Sequence, residues 1–102
     1  MADDTRFYTV EEARALLSQV RAVLLQLAVE RRRGPEGSTG DVMALLEHLT
    51  GLGIVLRDIE TGLVDFPTMR DGEPAWLCWR LADPDLSHWH TMHEGFASRR
   101  PL

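Results

Sequence analysis

Residues 63–81 read "LVDFPTMRDGEPAWLCWRL", two runs of β-branched, aromatic and aliphatic residues on either side of Asp71-Gly72. Asp-Gly is favoured at the centre of a two-residue β-hairpin turn, because both positions need positive φ angles. "IVLRDI" (54–59) has the same character and is joined to this stretch by "ETG". The pattern predicts a three-stranded antiparallel meander. Its strands are predicted at 54–59, 63–67 and 75–81.

In the first half of the chain, the apolar residues recur with the period of a helix. Residues 9–33 are predicted to form a long helix that begins with a capping box of Thr9 and Glu12. "RRRGP" (31–35) suits its end, since cations favour a helix C-terminus and Gly-Pro stops a helix. After a glycine-rich connector, Asp41 is predicted to cap a shorter helix over 42–52. The sequence up to residue 53 therefore predicts a helical hairpin.

The segment between Asp83 and Gly95 is predicted to form a short C-terminal helix. Asp83 suits its N-cap, Pro84 its first position, and Gly95 its end. The expected fold class is α+β, a single domain over residues 1–102. It comprises a helical hairpin (1–53) followed by a three-stranded antiparallel β-meander and the C-terminal helix (54–102).

Composition excludes several classes of protein. The formal net charge of −5 disfavours a nucleic-acid partner, which needs a basic surface, although Arg31–Arg33 offer a local phosphate patch as an alternative. The one cysteine, Cys78, cannot form an internal disulfide. The N-terminus lacks the apolar core of a signal peptide, and the apolar runs are far too short to cross a membrane. We expect a cytoplasmic protein without a membrane partner.

The long helix is predicted to have an uncovered apolar surface. At 1.5 Å per residue it is about 37 Å long, whereas the second helix is about 17 Å long. Leu25 and Val29 also lie off its main apolar stripe. Either the sheet or a second copy of the chain must cover this surface. We favour the second copy, so a homodimer through the long N-terminal helix is the expected assembly.

Strand alternation predicts a polar face on the sheet. If Val64 and Phe66 face the core, Asp65 lies on the opposite side, together with Arg80 of the third strand. Asp58 of the first strand is a candidate to join them. Such a pair is either a structural ion pair or an anion-binding or catalytic pair, and the sequence leaves both readings open.

Histidines in the predicted last helix are candidate metal ligands. Leu86, Trp89, His90 and His93 fall on one helical stripe, and Glu94 follows His90 by one turn. His90 and Glu94, with Asp65 supplied by the sheet, form a possible divalent-metal site. The alternatives are that the histidines pack at the edge of the core, or that His90 acts as a general acid or base.

Several short motifs together resemble one known family. They are "FYTVEEARALL" (7–17), "GLVDFP" (62–67), "DGE" (71–73), "LCWRL" (77–81), "WH" (89–90), "EGF" (94–96) and "RRPL" (99–102). The chain resembles the prokaryotic domain-of-unknown-function family number 2203, over nearly its whole length. The resemblance implies a compact bacterial protein of unassigned activity. It also implies a polar signature comprising Asp65, Arg80, Trp89, His90, Glu94 and Arg99, whereas His88 and His93 depart from the family pattern.

Two functional hypotheses follow. The first is a binding or regulatory module, homodimeric, with its Asp/Arg/His/Glu cluster between the sheet and the last helix. The alternative is a metal-dependent, hydrolase-like enzyme in which His90, Glu94 and Asp65 hold the metal and Arg80 binds an anionic substrate. Common catalytic signatures such as GxSxG, HExxH and the P-loop are absent from the sequence, and Cys78 is not expected to be a catalytic thiol.

Overall fold

A computed structural model describes residues 6–36 and 39–102 of the chain. Its fold is α+β, as predicted: helices come first and are followed by an antiparallel sheet of five strands, in the order β1-β2-β3-β4-β5. The helices are α1 (Val10–Ala15), α2 (Leu17–Arg33) and α3 (Thr39–Gly51). The strands are β1 (Val55–Asp58), β2 (Leu63–Arg70), β3 (Glu73–Trp79), β4 (His88–Thr91) and β5 (Arg100–Pro101).

The predicted hairpin is present as β2 and β3. Asp71 and Gly72 form its turn with φ angles of 53° and 81°, as a two-residue hairpin turn of this kind requires. Both strands extend further toward the turn than predicted, and Arg70 pairs with Glu73 across its base. The turn therefore fixes the register in which Asp65 faces Cys78.

The prediction of a C-terminal helix is wrong. In its place, residues 88–91 form β4, which pairs with β3 on one side and with β5 on the other. Without β4, the N–H and C=O groups along that edge of β3 would lack strand partners, so tertiary pairing outweighs the local helical period. The sheet consequently has five strands instead of three.

The helical half matches the prediction with two corrections. The Thr9–Glu12 capping box is confirmed, with the Glu12 amide donating to Thr9 Oγ1 at 3.1 Å. The predicted 9–33 helix is interrupted at Leu16, which separates α1 from α2. Asp41 lies in the first turn of α3 and is not its cap, because that helix begins at Thr39. Among the described residues, no helix combines the length and apolar character needed to span a bilayer.

The hydrophobic core lies between the helices and one face of the sheet. Val64 and Phe66 of β2 and Leu77 and Trp79 of β3 are fully buried there, as their alternation predicted. The opposite face carries the intervening residues of these two strands and of β4. These residues include Asp65, Trp76, Cys78 and His90.

Candidate metal centre

Three potential metal ligands meet on the sheet face opposite the helices. Asp65 of β2 is directly paired with Cys78 of β3, and His90 of β4 is paired with Trp76, two residues from that cysteine. Asp65, Cys78 and His90 are all buried, and one ligand atom from each lies within 4.8 Å of the other two. Neighbouring antiparallel strands thus bring together three residues that are 12 to 25 positions apart in sequence.

Asp65 is the centre of this group. One carboxylate oxygen accepts a hydrogen bond from Arg57 Nε at 2.9 Å, and both oxygens lie 3.1 Å from His90 Nε2. The Arg57 guanidinium also stacks on the indole of Trp76, 4.9 Å from the ring centroid. A buried carboxylate is costly without such partners, so the arginine and the histidine account for its position in the sheet.

The two ring nitrogens of His90 face a carbonyl oxygen and a carboxylate, respectively. Nδ1 lies 2.9 Å from the Thr91 carbonyl oxygen, which can only accept, so Nδ1 carries a hydrogen. In the neutral ring, Nε2 then presents a lone pair to the two carboxylate oxygens of Asp65. A proton or a metal cation must lie between them. Histidine ligands of metals have this same arrangement, in which the second ring nitrogen donates to a carbonyl.

Cys78 completes the group as a thiol. Burial, together with the nearby Asp65 carboxylate, raises the pKa of the Cys78 thiol to about 12, while Arg99 opposes the increase. The side chain is therefore protonated at neutral pH when no metal is bound. Binding a metal would release that proton, because the thiolate is the form that coordinates metals.

These donors suit a borderline-soft cation. An imidazole nitrogen, a thiolate sulfur and a carboxylate oxygen are the ligands that zinc takes in proteins, at about 2.0–2.3 Å. In a tetrahedral site, three protein ligands leave one position open. A cavity of about 330 Å³ reaches Asp65 from outside, between Arg57, Phe96 and Glu94. The arrangement can therefore hold a zinc-like ion, and Asp65 is the ligand that borders the cavity.

The structure separates Arg80 from Asp65. Arg80 follows the end of β3, and its amide and side chain both contact Asp83. The arginine partner of Asp65 is instead Arg57 of β1. The predicted Asp65–Arg80 pair does not form, because β3 ends before Arg80 and the chain turns there toward Asp83.

Glu94 lies outside the ligand group. Its carboxylate accepts from Thr91 Oγ1 at 3.0 Å and from Arg100 at 3.1 Å, and it lines the cavity beside Asp65. The prediction that it acts together with His90 rested on one turn of helix, whereas the segment is a strand followed by a turn. Hydrogen bonds from Thr91 chiefly lower the pKa of Glu94, and the positive charge of Arg100 adds to this effect.

The remaining predicted site residues have other surroundings. Asp58 closes the β1–β2 turn, accepting from Thr61 Oγ1 at 2.8 Å, and an irregularity of β1 keeps it away from Asp65. Trp89 lies on the core side of β4, 4.4 Å from the Arg70 guanidinium. Arg99 binds Asp83 through two nitrogens, at 2.7 and 3.2 Å.

Cys78 and Arg57 belong to the site but were not predicted from the sequence. Strand parity already placed Cys78 on the same face as Asp65, and its significance depended on His90 also lying on a strand. The alternation in "HWHT" (88–91) was the available signal for that strand. Arg57 had no comparable signal, since β1 is irregular between Leu56 and Asp58.

Comparison with protein families matches residues 29–102 to a family described as uncharacterized conserved protein (DUF2203). The match covers most of the chain, including the whole sheet. The chain belongs to the DUF2203 family. The matched region contains every member of the metal-ligand group, whereas the DUF2203 match leaves out α1 and most of α2. Comparisons with curated proteins and with solved structures give no significant match.

Proposed function

We propose that this DUF2203 protein is a metal-binding module that holds a zinc-like divalent ion at Asp65, Cys78 and His90. The observation that carries the proposal is the buried cluster of three chemically suitable donors, all within 4.8 Å of one another. The orientation of His90 supports it, since Nε2 faces the carboxylate while Nδ1 donates to a carbonyl. The competing reading is a metal-free ion pair in which a proton occupies the position of the metal.

Metal content and thermal stability test this proposal. Untagged protein, stripped with a chelator and reloaded with zinc, is expected to retain one ion per chain after desalting. Zinc should also raise the melting temperature, because a ligand at one hundred times its dissociation constant stabilises the folded state by about 2.7 kcal/mol. Cobalt reloading should give a thiolate-to-cobalt absorption band, which reports directly on Cys78.

Matched histidine variants make the experiment specific. His90→Asn should abolish zinc retention, and Cys78→Ser should abolish the thiolate band. His88→Asn is the control, since His88 is on the same strand and pairs with Cys78 across the sheet. Failure of the wild-type protein to retain zinc, with no change in melting temperature on adding it, would contradict the metal module and favour the proton-bridged ion pair.

A metal-dependent, hydrolase-like enzyme is the second candidate function. The cavity that reaches Asp65 supports it, because a catalytic zinc needs a position open to water and substrate. In this version Arg57 replaces Arg80 as the cation nearest to the metal ligands. Glu94, which lines the same cavity, is the nearby carboxylate that could exchange a proton with bound water.

We also propose a homodimer formed through α2, in a single-domain, bacterial, cytoplasmic protein. The apolar side chains of Leu25 and Val29, 51% and 37% exposed, support the dimer. Packing these side chains against a second copy of the same helix would remove them from water. The bacterial origin rests on the family resemblance.

A further inference from the structure

A cavity of about 330 Å³ adjoins Asp65, one of the proposed metal ligands, and has both polar and apolar side chains in its lining. Arg57, Asp65 and Glu94 form its polar side. Leu63, Met92 and Phe96 form its apolar side. Asp65 belongs both to this cavity and to the ligand group, so a molecule in the cavity would lie next to a bound metal.

Arg57 is oriented toward an additional ligand. Its Nε donates to Asp65, and its guanidinium plane stacks on Trp76, so two contacts fix the group. Within residues 6–36 and 39–102, its two terminal nitrogens have no hydrogen-bond acceptor, and the side chain is 41% exposed. An arginine held along one edge presents a fork of donors whose geometry matches a carboxylate.

The charges around the cavity favour an anion once metal is bound. The carboxylate of Asp65 and the thiolate of Cys78 would together balance a divalent cation. Glu94 is paired with Arg100 at 3.1 Å and contributes little net charge. The positive charge of Arg57 is then not balanced by the metal, its ligands or the Glu94–Arg100 pair. A bound monoanion would make the net charge of the site zero.

The apolar side of the cavity indicates which groups the bound anion carries besides its charge. Leu63, Met92 and Phe96 offer contacts to a hydrocarbon chain, and the volume suits a small organic molecule. We propose that the cavity binds a small organic monocarboxylate. Its carboxylate lies between the metal and Arg57, and its apolar tail lies against Leu63, Met92 and Phe96. This inference rests on the proposed metal-binding function.

Calorimetric titration of zinc-loaded protein with hexanoate and with acetate tests the inference. Hexanoate is expected to bind at least tenfold more tightly than acetate, because its additional methylene groups are removed from water at the apolar side. Hexanoate affinity should fall at least tenfold when zinc is removed. Equal affinity for the two acids, or equal binding with and without zinc, would overturn the assignment.

Two variants and one control locate the site. Arg57→Gln and Met92→Glu should each weaken hexanoate binding at least tenfold. Zinc stoichiometry should be unchanged in Met92→Glu, because Met92 is 44% exposed and its replacement leaves the core intact. Arg57 also supports Asp65, so hexanoate binding by Arg57→Gln is expressed per bound zinc ion. Arg31→Gln is the control, because Arg31 also pairs with a carboxylate, that of Glu60, outside the cavity. Normal hexanoate binding by both cavity variants would overturn the inference.

The two proposals fail in distinguishable ways. Retention of zinc without measurable hexanoate binding would overturn the carboxylate site and leave the metal site supported. Failure to retain zinc would overturn the metal site, and with it the carboxylate inference that depends on it. Zinc stoichiometry, measured before each titration, separates these outcomes.

Discussion

Asp65 illustrates how one buried charge is accommodated in this sheet. It is 2% exposed, and its two oxygens face Arg57 on one side and His90 on the other. Each partner comes from a different strand, so the carboxylate links β1, β2 and β4. Removing a partner from a buried, paired charge costs more than an exposed pair contributes. The same geometry that stabilises Asp65 would also present it to the proposed metal.

Gly62 is a residue at which even a small substitution should be damaging. Its φ angle is +66°, and an added Cβ would lie 2.5 Å from Leu81 Cγ. Gly62→Ala is therefore expected to lower the free energy of unfolding by about 2 kcal/mol, from backbone strain and from the clash. Urea unfolding followed by tryptophan fluorescence would measure the change.

Gly53→Ala is the matched control for this prediction. Gly53 has a similar φ angle of +75°, and no atom lies within 4 Å of the position that its Cβ would occupy. Gly53→Ala should lower the free energy of unfolding only by the cost of the backbone conformation, about 1 kcal/mol. Equal losses at the two positions would mean that Leu81 moves aside without cost.

At the level of elements, the segment after β3 is held by ion pairs around Asp83. Asp83 accepts from the Arg80 amide at 3.2 Å and from two nitrogens of Arg99. The guanidinium groups of Arg80 and Arg99 lie 4.8 and 4.4 Å from the ring centroid of Phe96. These contacts connect the turn after β3 to the residues just before β5. They position β4 and β5 on the sheet without a C-terminal helix.

The Asp83–Arg99 pair should make stability depend on pH. Hydrogen bonds from Arg99 chiefly hold the pKa of Asp83 below its ordinary value of 3.8. A carboxyl with a lowered folded-state pKa stabilises the protein above its unfolded-state pKa, and this contribution is lost as the pH falls through the folded-state value. Asp83→Asn should reduce the free energy of unfolding by about 2 kcal/mol at pH 7 and by progressively less below about pH 4.

Unfolding by urea at pH 7, 5 and 3.5 would measure this difference between the variant and the wild-type protein. Asp85→Asn is the control, since Asp85 pairs with Arg14 at the surface, where the side chains are 57% and 43% exposed. Its effect should be about 0.5 kcal/mol or less at pH 7. A difference for Asp83→Asn that is constant or grows toward low pH would contradict the prediction.

At the level of the whole molecule, the sheet separates two environments. The face toward the helices is a hydrophobic core built around Trp79 and Phe66. On the opposite face, side chains from β1 and from the segment after β4 cover the buried polar group. A buried polar cluster with an adjoining cavity can therefore form without disturbing the core.

The proposed dimer gives a prediction at this scale. Leu25→Glu is expected to raise the dimer dissociation constant at least tenfold, because it places a charge in the centre of an apolar interface. Sedimentation equilibrium over a range of protein concentrations would measure it. Met69→Glu is the control, since Met69 is similarly exposed, at 48%, but lies on β2. A wild-type protein that stays monomeric at every concentration would contradict the proposed dimer.

The sequence by itself determined the helical half, the β2–β3 hairpin and the side of the sheet on which Asp65 lies. These features depend on local chemistry: the Thr9–Glu12 capping box, the two positive φ angles at Asp71-Gly72, and the alternation of strand side chains. Each can be read within about a dozen neighbouring residues.

Only the tertiary structure decided that residues 88–91 form a strand and that His90 meets Cys78. The local pattern from Asp83 to Gly95 fits a helix, and the pairing with β3 that overrides it involves residues ten to sixteen positions away. The partner of Asp65 was decided in the same way, because the end of β3 and the irregularity in β1 select Arg57 over Arg80. Long-range backbone hydrogen bonding outweighs local propensity wherever it supplies partners that the edge of a sheet would otherwise lack.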